Sequence, residues 1–161
     1  MSNPVAIHEY DLVIYPYKIW VTITDNLIPL MARFKEADSD NELDTKGIDK
    51  FAATTFIVEE KETGRFGILI QFSSYEYCDV RNIAHESTHA ARYIWDRLDE
   101  DITGAEADAY LVGYIAKCIE DTKNYNNAPV PSPYNSTQND ITETYDATQN
   151  EMVDNDDDLP F

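Results

Sequence analysis

Every lysine and arginine of this chain lies before residue 124, and that break decides which part of it can fold. Residues 1–123 hold all 12 basic residues against 23 acidic ones; residues 124–161 hold 8 acidic residues and no basic one. From Asn124 to Val153 the chain is Asn, Thr, Gln, Ser and Pro with a few tyrosines. Such a composition buries too little apolar surface to offset the entropy lost on ordering it, which predicts a disordered linker over 124–153. An acidic run with an apolar tip, 154–161, follows. Folding therefore falls to residues 1–123, the size of one ordinary domain. The 43% apolar and 12% aromatic content of the chain is enough to supply its core.

The formal net charge of −19 narrows the function classes. A phosphate backbone repels a surface this acidic unless its cations cluster, and no Lys/Arg cluster is visible, so direct nucleic-acid binding is not expected. Docking on an anionic membrane is disfavoured for the same reason, and no apolar run approaches the ~18 residues of a membrane span. The opening MSNPVAIHEYD lacks the cationic start and apolar stretch of a signal peptide. Cys78 and Cys118 make no disulfide framework; reduced thiols in a cytoplasm are the simple expectation.

The first 123 residues read as α+β. Tyr10–Thr24, rich in Val, Ile, Tyr, Trp and Thr, suits a strand, with Pro16 demoting its first half to an edge or a bend. Leu27–Ala37 has the apolar spacing of a helix, and Asp38–Thr45 is a polar, acidic loop. Thr54–Glu59 and Phe66–Phe72, separated by Lys61-Glu62-Thr63-Gly64, form a hairpin signal. Arg81–Leu98 is helical by period. Thr103, with Glu106 three residues on, is a capping-box start for a second apolar helix, Ala105–Ile119.

The first of these two helices carries the chemistry: His85-Glu86-Ser87-Thr88-His89. Residues i and i+4 of a helix lie one above the other. Two imidazoles so placed can bind one Zn²⁺ at about 2.0–2.1 Å. Glu86, beside the first of them, can take a proton from a zinc-bound water, whose pKa falls to about 7, and pass it to a leaving amine. A third protein ligand is expected from another element. Glu106, at the start of the next helix, is the first candidate, because an antiparallel helix pair would return it over His89; Asp108 is the runner-up. His8, outside the motif, reads as a surface residue before the first strand.

His85-Glu86-Ser87-Thr88-His89-Ala90-Ala91 followed by Gly104-Ala105-Glu106-Ala107-Asp108-Ala109-Tyr110-Leu111-Val112-Gly113-Tyr114 resembles small zinc metallopeptidase-like proteins of bacteriophages and mobile elements. These are of the minimal gluzincin type. The resemblance spans roughly residues 54–119 and is specific over the two helices. It implies zinc on His85, His89 and Glu106, Glu86 as general base, and a protein or peptide substrate. It also implies a zincin-like domain over 1–123: a small antiparallel sheet, the hairpin plus the N-terminal strand, packed on about three helices. In such folds the strand before the motif helix, here Phe66–Ser73, often pairs with an extended substrate. Tyr93 and Tyr110, each one turn beyond a ligand, are candidates to face the metal, against the plainer alternative of core packing. A phage-encoded protein would work in the bacterial host cytoplasm.

The run Asp154-Asn155-Asp156-Asp157-Asp158-Leu159-Pro160-Phe161 resembles the C-terminal tip of bacterial single-stranded DNA-binding proteins, with Leu159 in place of the usual Ile. Pro160, Phe161 and Leu159 would fill an apolar pocket, while Asp156, Asp157 and Asp158 meet its basic rim. The resemblance implies partners among replication and repair proteins that read such a tip. Two other functions compete with the peptidase. One is a single-stranded DNA-binding barrel using Trp20, Phe66, Phe72, Tyr75 and Tyr77 as stacking platforms. The other is a non-catalytic protein that competes for readers of the tip.

Overall fold

The structure, a computed structural model, describes residues 5–12, 15–98 and 105–127. The predicted first strand is a hairpin: β1 (Ile7–Asp11) pairs antiparallel with β2 (Lys18–Ile23), and Pro16 lies in the connection. Proline has no N–H for a ladder, which is why the run splits there. His8 thus lies inside β1 and not before it. It is half-buried, its ring meets Tyr125 edge-on at 4.8 Å, and its Nε2 is buried without a hydrogen-bond partner among the described residues.

The helix predicted for Leu27–Ala37 stops early. Only α1 (Ile28–Arg33) is helical, and the chain then extends into β3 (Phe34–Glu36). Phe34 is fully buried against Trp20, ring centroids 4.9 Å apart, and β3 pairs antiparallel with the end of β4 (Ala53–Glu60). Cross-strand pairing and burial of one aromatic outweigh a short helical period. β4 and β5 (Phe66–Phe72) form the expected hairpin, with Gly64 at φ +69° in its turn, a conformation that favours glycine.

The five strands make one sheet in the order β1-β2-β5-β4-β3. It is mixed: β2 and β5 run parallel, whereas a wholly antiparallel sheet was expected. β1 and β3 are its edges, so the strands do not close into a barrel. Strand alternation builds two cores. Ile19, Val21, Ile68, Ile70 and Phe72 face α2 (Val80–Leu98) and α3 (Ala105–Asn127). Trp20 and Leu69 face the other way, with Leu30, Phe34, Leu43 and Val58. α2 lies over β4 and β5, and α3 over β2. Among the described residues no helix is long and apolar enough to cross a membrane.

α2 begins on Asp79, whose carboxylate accepts the Asn82 N–H at 2.8 Å and so satisfies one of the donors a helix start leaves free. The expected cap of α3 at Thr103 lies outside the described residues. α3 runs past the compositional break to Asn127. Tertiary contacts hold its last turns: Tyr10 Oη and Thr122 Oγ1 lie 2.8 Å apart, Lys123 Nζ donates to the Cys78 carbonyl at 2.6 Å, and Tyr75 Oη donates to the Lys123 carbonyl. Cys78 and Cys118 are free thiols, both pushed up to about 11 by burial.

Carboxylates tie the second face together. Glu9 is held below the ordinary range by the Lys18 ammonium, which outweighs its burial. For Glu60 burial opposes the charge, and the Thr63 hydroxyl and Arg33 guanidinium overcome it. A carboxyl depressed on folding stabilises the fold above its unfolded pKa, and that stabilisation is lost as pH falls through the folded value. The thermal midpoint should therefore hold from neutral pH to about 5 and drop below about 4. Glu60→Gln should flatten that drop; an unchanged acid limb in this variant would contradict the assignment.

Candidate metal centre

α2 turns Glu86, Ser87, Ala90, Ala91, Ile94 and Trp95 inward and leaves His85 and His89 exposed on the stripe opposite the core. The two imidazoles converge: Nε2 to Nε2 is 3.1 Å, and the rings are edge-to-face with centroids 4.6 Å apart. Two nitrogens sharing a tetrahedral zinc at about 2.0–2.1 Å stand about 3.3–3.4 Å apart, so the pair fits two corners of such a site within a few tenths of an ångström. Tyr93, one turn on, stacks on His89 at 6.2 Å. Tyr110 is 72% exposed on α3.

Glu86 is buried, and its Oε2 accepts the Thr55 hydroxyl at 2.6 Å. Thr55 sits on β4, so the strand fixes one carboxylate oxygen and leaves Oε1 without a protein donor among the described residues. Sequence reasoning missed Thr55. A threonine 31 residues upstream on another element has no spacing signal to find it by.

The third donor is where structure and sequence part. α2 and α3 do pack antiparallel: Lys123 meets Cys78 just before α2, and Trp95 Nε1 donates to Asp108 Oδ1 at 3.2 Å near its end. Arg92 Nη2 lies 3.8 Å from Asp108 Oδ2. The first turn of α3 therefore lies beside Arg92 and Trp95, and Glu106 is farther along, on the side away from His89. Glu106 is exposed, and among the described residues no three His, Cys, Asp or Glu side chains are placed to hold one ion. Of the two acids, Asp108 is the one turned toward α2. The register explains this: in an antiparallel pair, approaching His89 from Trp95 means moving forward along α3, past Asp108 and away from Glu106.

Phe66–Ser73 also differs from expectation. β5 is the centre of the sheet, paired with β2 and β4, and offers no edge to a peptide. The open edge is the first half of β4. β3 pairs only as far as Glu36 with Val58, so Ala53–Phe56 has β5 on one side and, among the described residues, no strand on the other. That stretch includes Thr55. Beside it lies a cavity of about 370 Å³ lined by Glu36, Leu43, Asp44, Thr55, Ile57 and Tyr93, among others.

The proposed base-stacking aromatics are mostly spent on structure. Trp20 and Phe72 are fully buried, Phe66 lies under the Arg97 guanidinium at 4.5 Å, and Tyr75 is bonded to α3; Tyr77 alone of the five is well exposed. The tip residues Asp156, Asp157, Asp158, Leu159, Pro160 and Phe161 lie outside the described residues. Comparison with known protein families, with curated proteins and with solved structures finds no match to this chain.

Proposed function

We propose that residues 1–123 are a zinc-dependent, zincin-like peptidase domain, with His85 and His89 as metal ligands and Glu86 as general base. The observation that carries this reading is the convergence of the two Nε2 atoms beside a buried carboxylate already oriented by Thr55. A zinc ion there would supply Lewis-acid polarisation and a nucleophile at neutral pH. The chain's own residues do the rest. Thr55 holds Glu86 Oε2 and leaves Oε1 to accept a proton and return it to a leaving amine. The open edge of β4, which carries Thr55, is the surface along which an extended peptide would pair through main-chain hydrogen bonds.

For the third ligand the candidates are the two carboxylates of the first α3 turn, neither of which joins the imidazoles in a three-donor group among the described residues. Glu106 is the sequence's first candidate and Asp108 the runner-up; Asp108 is turned toward α2, where Trp95 and Arg92 hold both of its oxygens. Alanine at the true ligand should weaken zinc binding at least tenfold, and alanine at the other should not. The function itself is tested with a peptide library read by mass spectrometry. Cleavage should vanish with a zinc chelator and return on adding zinc; cleavage indifferent to the chelator overturns the proposal.

The acidic Leu-Pro-Phe tip is proposed to deliver this domain to replication and repair proteins in a bacterial cytoplasm, with no direct contact to nucleic acid. Its support is the sequence alone. A second reading, a non-catalytic protein that competes for the readers of the tip, is favoured by one observation: the two imidazoles lack a third donor among the described residues.

A further inference from the structure

The stripe of α2 that carries the imidazoles does not end at them. Residues four apart on a helix sit one above the other, and a long side chain leans back over the turn before it. His85, His89 and Tyr93 therefore form a column of three rings on one helix. His89 meets His85 edge-to-face with centroids 4.6 Å apart. Tyr93 lies nearly parallel to His89, with 22° between the planes and 6.2 Å between centroids, inside the range of favourable ring pairs. Burial rises along the column. The two imidazoles are exposed, whereas Tyr93 is half-buried and packs against the core that α2 and α3 share with the sheet.

A metal-binding imidazole is ordinarily fixed through its second ring nitrogen, which donates to a carboxylate, a carbonyl or a water. Among the described residues neither imidazole has such a protein acceptor; their hydrogen-bond contact is with each other, between the two Nε2 atoms. Exposed side chains without that tether lose rotamer freedom when they bind an ion. What restrains His89 here is the tyrosine ring beside it. Tyr93 also lines the cavity at the open edge of β4 together with Thr55, the residue that fixes Glu86. The base and one imidazole thus each have a neighbour that orients them, and both neighbours border one space.

We infer that Tyr93 is a positioning residue of the metal centre: its ring, anchored on the core, holds the His89 imidazole with Nε2 turned toward His85 and so raises zinc affinity without being a ligand. A restraint in place before the ion arrives lowers the cost of binding it. The contact is made by the face of the ring and not by the hydroxyl. Phenylalanine therefore supplies what the position needs, and an aliphatic side chain does not. The inference rests on the proposed centre for its ligands and needs nothing of the cleavage reaction.

The test titrates zinc alone into the 161-residue chain in competition with a chromogenic chelator, with Tyr93→Phe and Tyr93→Leu beside the parent protein. Tyr93→Phe should bind zinc within about twofold of the parent. Tyr93→Leu should bind it about threefold to tenfold more weakly, the contribution of one aromatic pair. If the leucine variant does not fold, Tyr93→Met, flexible enough to fill the same gap, takes its place with the same expectation. A tyrosine that only fills the core would lower the thermal midpoint of the zinc-free protein and leave the zinc affinity of the folded chain alone. Equal zinc affinity in the parent and the aliphatic variant therefore overturns the role. So does a loss in Tyr93→Phe as large as in Tyr93→Leu, because the hydroxyl would then be the working group. A parent chain that takes up no zinc overturns the centre and the role together. The expected pattern in a chain that cleaves no peptide leaves Tyr93 its role and removes the peptidase.

Discussion

Glu86→Gln should leave zinc content and thermal midpoint unchanged and lower peptide cleavage by about 10²–10⁴, the usual worth of a positioned general base. The substitution is close to isosteric. A glutamine carbonyl can still accept the Thr55 hydroxyl that Glu86 Oε2 accepts at 2.6 Å, so packing at this buried position survives. What is lost is the capacity of the second oxygen to take a proton. In the proposed centre metal binding falls to the imidazoles at positions 85 and 89, which are exposed, whereas Glu86 is buried. Thr55→Val gives the complementary result. It keeps the carboxylate but removes its tether, so cleavage should fall by a smaller factor with its pH dependence altered. Loss of zinc in Glu86→Gln, or cleavage at the level of the unsubstituted chain, would contradict the assigned role.

Gly67→Ala should be among the most destabilising single-methyl additions in the domain. Gly67 lies on the central strand β5, between Lys18 of β2 and Val58 of β4. A Cβ there would collide with the Lys18 carbonyl oxygen and come within 2.6 Å of the Trp20 ring. Neither can retreat. The carbonyl belongs to a strand with partners on both sides, and Trp20 is fully buried between Phe34 and its hydrogen bond to Glu9. Overpacking of this kind costs about 1–3 kcal/mol, and a backbone contact puts this site near the upper end. For a domain of this size that lowers the thermal midpoint by about 10 °C. A midpoint within a degree or two of the parent protein would show that β2 and β5 do not approach as closely as the parallel pairing places them.

Much of this was legible in the sequence, for identifiable reasons. The β4–β5 hairpin and α2 were read nearly to the residue, because a turn glycine and a long amphipathic period are local signals that tertiary structure has no reason to override. α1 and the first strand were misjudged where tertiary forces overrode local ones. Phe34 leaves a helical pattern to pair with β4, and Pro16 turns one strand into two. The parallel β2–β5 pairing has no local signature at all. α3 outran the composition because Thr122, Lys123 and Tyr125 are held by residues more than forty positions away. At the site, the i, i+4 pair and its glutamate follow from helix geometry, and the imidazoles do converge. Thr55 and the facing of Asp108 toward α2 depend on how elements pack, which spacing along one helix does not encode.

The most direct test is the zinc content of the purified 161-residue chain, measured by inductively coupled plasma mass spectrometry alongside His85→Ala and His89→Ala. One zinc per chain, retained through dialysis and lost in both histidine variants without loss of the fold, is the expected result. A metal-free protein of undiminished stability that takes up no added zinc would contradict the proposed centre, as would zinc that persists when either histidine is removed.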